Sequence, residues 1–141
     1  MSKEQLLCDI NKKRACISEA NSELARLERR YEELCDLQTK VQRLQEGFCQ
    51  SVIRQRSRLP VAVGLATTMR TARMYHGKMT EALSGREFSN ANSHIAAALA
   101  ETKRNKQRVA SEIEQARQKI GSLSSQLRSL QYAYNTYPEE D

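Results

Sequence analysis

The feature that most constrains this chain is a ladder in its last third. Ile95, Leu99, Thr102, Lys106, Val109, Ile113, Ala116, Ile120, Leu123, Leu127 and Leu130 follow one another by alternating fours and threes. Such steps put every member on one side of an α-helix for about five heptads, and a stripe that narrow needs an apolar stripe on another helix to cover it. Thr102 and Lys106 are its polar interruptions. The first third carries a matching pattern: Ile10, Ile17, Leu24 and Tyr31 are seven apart, as are Ala20, Leu27, Leu34, Val41 and Phe48, and the two series interlock.

The spacing predicts a first helix over 4–57. Pro60 ends or kinks it, because the residue before a proline is pushed out of the α region and an interior proline costs about 3 kcal/mol. A second helix is expected over 61–83, with Leu65, Met69, Ala72, His76, Met79 and Leu83 on one face. Ser84-Gly85-Arg86 then reads as a reversal over 84–87. A glycine after Leu83 can take positive φ, and Ser89 or Asn90 can open a third helix over 88–132, before a tail over 133–141. Helices joined by so short a turn lie antiparallel. The expected fold is therefore one all-α domain, an elongated antiparallel hairpin of coiled-coil type, broken near Pro60 and bent at Gly85.

That bend sets Ile113 near Ser57 and Leu130 near Lys40. The N-terminal arm then outreaches the C-terminal arm by about 45 Å at 1.5 Å per residue. Ile10, Ile17, Leu24, Leu27, Tyr31 and Leu34 would be left uncovered, as a stripe for a partner. A sharp fold-back at Pro60 would instead give a three-helix bundle that covers part of this stripe.

Composition excludes several classes of protein. With 141 residues, Gly 5, Pro 2, Trp 0 and mean hydropathy −0.71, neither a β-sandwich nor a glycine-looped nucleotide enzyme is supported. No run approaches the roughly 20 apolar residues of a membrane span, so stable membrane insertion is not expected. Met1 to Ile10 contains Lys3, Glu4 and Asp9 and does not resemble a secretory leader. The expected location is the cytoplasm, with any export by a leaderless route. Cys8, Cys16, Cys35 and Cys49 have no C-x-x-C spacing and read as free thiols. His76 and His94 lack ligand neighbours at helical spacing, and Glu112 and Glu114 fall on different helix faces. No nucleophile, histidine and acid set is present, so neither enzymatic activity, a cofactor nor a metal is expected.

The net charge of +6 is concentrated in the middle of the chain. Residues 1–46 hold nine basic and nine acidic side chains, whereas 47–80 hold six basic ones (Arg54, Arg56, Arg58, Arg70, Arg73 and Lys78) and no acidic one. This basic patch suits an acidic partner, phosphates or anionic lipid. Aromatic residues do not interleave with the arginines, so a stacking platform for single strands is missing and nucleic acid is not the expected partner.

Two further motifs join the helical pattern: Leu83-Ser84-Gly85 at the bend, and Tyr137-Pro138-Glu139-Glu140-Asp141 at the end, a tyrosine followed four residues later by an acid. Together these features resemble the WXG-like substrates and targeting partners of type VII (ESX/Ess) secretion systems. More closely, they resemble the small α-helical proteins that accompany LXG-domain toxins in Gram-positive bacteria. The resemblance implies a non-enzymatic targeting factor, secreted by the type VII route, that binds the helical N-terminal domain of a toxin, with room for a second small helical partner. It further implies that Gly85 is the interhelical turn, that Leu83 stands where the family has tryptophan, and that Tyr137 and Asp141 are the tail signal read by the secretion ATPase. Pro138 directly after Tyr137 departs from the pattern and hinders a helical continuation. Two other readings stay open: a generic coiled-coil scaffold or homodimer that covers the N-terminal stripe with a second copy, and a nucleic-acid binder acting through the central arginines.

Overall fold

A computed structural model describes residues 2–66, 74, 77–79, 81 and 85–139, with the side chains of 56 and 58–66 left out of that description. Two long helices dominate, α1 (Lys3–Ala66) and α2 (Arg86–Asn135), and the described residues include no strand. The chain is an all-α helical hairpin. A capping box opens α1: the Gln5 N–H donates to Ser2 Oγ (3.2 Å), and the Ser2 N–H donates to Gln5 Oε1 (3.0 Å). Glu4 and Glu87 place negative charge in the first turns of α1 and α2, where the helix dipole favours it.

Pro60 does not break α1, which runs unbroken for 64 residues to Ala66. A proline already has a helical φ and forfeits one rung of the hydrogen-bond ladder, and a helix with many turns on the near side carries that local loss. The helix expected over 61–83 is thus, as far as Ala66, part of α1. Of its remaining residues, Met74, Gly77, Lys78, Met79 and Glu81 are described, and all are helical.

Gly85 also differs from expectation. No described glycine has positive φ. Gly85 instead precedes α2 as its cap, with the Ser89 N–H donating to the Gly85 carbonyl (3.1 Å), so the helix starts earlier than Ser89. The position requires glycine for another reason: a Cβ there would collide with the Glu81 carbonyl oxygen.

The chain forms two compact units, a terminal one of Met1–Glu33 with Lys106–Asp141 and a central one of Leu34–Asn105. In the terminal unit Leu6, Ile10, Ala20 and Leu27 of α1 and Val109 and Ile113 of α2 form the core. The two segments run antiparallel there. Lys3 Nζ lies 5.0 Å from the Tyr134 ring centroid, Lys106 Nζ lies 5.5 Å from that of Tyr31, and Arg117 Nη2 donates to Glu28 Oε1 (3.4 Å). In the central unit Leu34, Val52 and Thr102 are buried, and the Phe48 and Phe88 rings stack at 5.4 Å and 14°. The Thr102 hydroxyl is satisfied within its own helix by the Ala98 carbonyl (2.8 Å). From Lys3 to Val52, every position on the alternating three-and-four ladder of α1 is buried or half-buried, and so is every ladder position of α2 from Phe88 to Tyr137.

This register overturns the expected overhang. Ile113 borders the same surface recess as Glu28, Tyr31 and Glu32 instead of lying near Ser57, and Tyr134 lies over the first turn of α1. Phe88 meets Phe48, so a single tight turn at Gly85 is not what sets the register. The physical reason is the match between the two ladders. A bend centred on Gly85 would leave several large apolar side chains in water, each at about 1.5–3 kcal/mol, far more than a local turn preference can offset.

Candidate interaction surface

The residues read from the sequence as a partner-binding stripe are covered by the chain itself. Ile10 is 3% exposed and Leu34 2%, Leu27 is buried, and Ile17, Leu24 and Tyr31 are half-buried. Tyr31 has its face taken by the Lys106 ammonium, which also explains how a lysine is tolerated in the seam. Covering these six side chains removes the surface on which the expected docking depended.

The remaining sequence-predicted positions are scattered. Tyr137 is half-buried just past the end of α2. Its N–H donates to the Tyr134 carbonyl (3.3 Å), and it borders a shallow recess with Ser2, Lys3, Glu4, Pro138 and Glu139. The helix stops at Asn135, so Pro138 lies outside it. Arg54 is exposed on α1, and Arg56 and Arg58 belong to the same helix. Leu83, Arg70, Arg73 and Asp141, together with His76, lie outside the described residues. Cys8 and Cys16 are exposed, Cys35 and Cys49 are partly covered, and all four are free thiols. No group of three His, Cys, Asp or Glu among the described residues is placed to hold a metal ion.

One apolar surface stands out, and the sequence reading missed it. Leu37 is 46% exposed and Leu44 61%, both on α1 in the central unit. Seven apart, they lie on one side of the helix, adjacent to the buried seam but not part of it. With Lys40, Gly47, Ser51 and Arg54, all exposed, they form a second ladder of alternating threes and fours. Gly47 has no atom within 4 Å of where a Cβ would stand, so the middle of this ladder is open. The signal in the sequence is the heptad spacing of the two leucines. Other large exposed apolar residues, Leu7 and Tyr132 in the terminal unit and Ile53 and Met74 in the central unit, are off this ladder.

The electrostatics of the two units differ as well. Counted from the sequence, the terminal unit holds 12 basic and 12 acidic residues, and the central unit 11 basic and five acidic. The whole +6 therefore belongs to the central unit. The three ion pairs among the described residues, Glu23–Arg26, Arg30–Glu33 and Glu28–Arg117, are all in the terminal unit. In the first of them Arg26 Nε donates to Glu23 Oε2 (3.0 Å), and this hydrogen bond holds the Glu23 carboxyl below its ordinary value and raises Arg26.

Comparison with known proteins adds no kinship to this geometry. No family model matches the chain, and neither a curated protein nor a solved structure matches it. No helix among the described residues is long and apolar enough to cross a membrane.

Proposed function

We propose that this protein is a non-enzymatic adaptor that carries a helical partner on the exposed ladder of α1 in the central unit. The specific case we favour is the helical N-terminal domain of an LXG-type toxin bound for type VII export, with Tyr137 and Asp141 as the tail signal. The observation that supports this reading is the exposure of Leu37 and Leu44 on one helix face, beside a seam that is otherwise closed from end to end. Heptad-spaced leucines in water are stable on a helix only at a cost, and a second helix laid along them removes it. The N-terminal stripe has no such role left, because α2 already occupies it.

The test is co-purification from a producing cell with the tagged wild-type chain and with the double variant Leu37→Asp, Leu44→Asp. Both substituted positions are exposed, so the variant is expected to melt with the wild type. The expected result is a helical toxin domain recovered with the wild type and lost from the variant. Tyr137→Ala is expected to keep the toxin bound but block its appearance in the medium. Recovery of the same partner in equal amount with the double variant would overturn the docking site, and undiminished secretion with Tyr137→Ala would overturn the export reading.

A further inference from the structure

We infer that the occupant of the Leu37–Leu44 ladder is an amphipathic helix of net negative charge. This rests on the adaptor reading and adds the chemistry of the partner.

The shape of the site comes from the ladder. Leu37, Lys40, Leu44, Gly47, Ser51 and Arg54 alternate by three and four, the pattern that a second helix packs against along its length. The two leucines supply the apolar centre, and at Gly47 the open space lets a partner's large side chain or backbone come close. Arg54 closes one end of the ladder and Lys40 sits between the leucines, with no acid on the ladder from Leu37 to Arg54. The ion pairs among the described residues all belong to the terminal unit, and none of them engages Lys40 or Arg54.

Charge then selects among occupants. A second copy would bring one central unit with six excess positive charges against another, and the like charges oppose that contact. Duplex or single-stranded nucleic acid would satisfy the cations but leave both leucines without a partner, and the ladder has no aromatic ring on which a base could stack. A helix with leucine or isoleucine on one face, flanked by glutamate and aspartate, satisfies the leucines and the cations together.

The experiment uses the full chain and a labelled synthetic helix of about three heptads, with leucine on the packing face and glutamate on the flanks. Two control probes are the same peptide with lysine in place of glutamate, and duplex DNA. The glutamate peptide should bind, should bind more weakly as salt is added, and should lose about tenfold or more in affinity to the double variant Lys40→Glu, Arg54→Glu. Leu44→Asp should abolish binding without moving the melting temperature. Equal binding of the lysine peptide, binding of DNA in preference to the glutamate peptide, or a dimer of the chain itself that Leu44→Asp dissolves would each overturn the inference. A native partner lost to Leu37→Asp, Leu44→Asp but indifferent to Lys40→Glu, Arg54→Glu would overturn the acidic chemistry alone and leave the adaptor reading standing.

Discussion

The terminal and central units are built from the same two helices by the same three-and-four repeat, yet they use their surfaces differently. In the terminal unit six apolar residues are buried, charges balance 12 to 12, and acids and bases pair across and along the helices. Among the described residues of the central unit, Leu34, Val52 and Thr102 are buried, one of them polar, and the unit as a whole carries 11 basic side chains to five acidic ones. The first unit is charge-neutral and holds the ion pairs found among the described residues. The second retains two exposed leucines and six excess charges, the combination expected of a surface that meets another molecule.

The largest effect that separates the units is truncation of an apolar side chain. Leu27→Ala should cost about 2–5 kcal/mol, since the methyl groups removed are buried and leave a gap. Leu44→Ala should change stability by no more than about 0.5 kcal/mol, because its side chain is mostly in water. Chemical denaturation of both variants measures the difference. Equal losses would mean that Leu44 is covered in solution.

Glycine substitutions come next. Gly85→Ala should destabilise by about 1–3 kcal/mol, because the new methyl meets the Glu81 carbonyl and backbone must shift. Gly47→Ala in the central unit and Gly121→Ala in the terminal unit should each stabilise by about 0.5–1 kcal/mol, both being helical with open space where the methyl goes. Thermal melts of the three variants give the order directly, and a harmless Gly85→Ala would remove the close approach at the start of α2.

The smallest effect concerns pH. Glu23 is held below its ordinary value of 4.5 by Arg26, so its contribution is present above that value and is lost as the pH falls through the depressed folded value. The pair is fully exposed, so the effect is slight. Glu23→Gln should leave stability near neutrality almost unchanged and flatten the acid limb of the stability curve. An acid limb identical to that of the wild type would show that the pair contributes nothing in solution.

Most of both seams was legible in the sequence, because heptad spacing reports helix faces directly, but the buried residues Leu6 and Val52 at either end of the first seam were not. What covers a seam was not legible. The register depends on the whole length over which two ladders match, whereas Gly85 and Pro60 are local signals of about 1–3 kcal/mol, and the local signals misplaced the bend by enough to uncover residues 10–34. Thr102 and Lys106 were seen as interruptions, but their remedies, a carbonyl one turn back and the face of Tyr31, required a structure. Leu37 and Leu44 were not legible as a surface, because heptad spacing marks a helix face without saying whether it ends under another helix or in water.

The ammonium of Lys106 resting on Tyr31 has a mechanical consequence. A slip of one repeat would draw that cation off its ring and set it against Leu24 in one direction or Gln38 in the other. The terminal pairing is thereby notched at one tooth, which favours this register by about 0.5–1 kcal/mol.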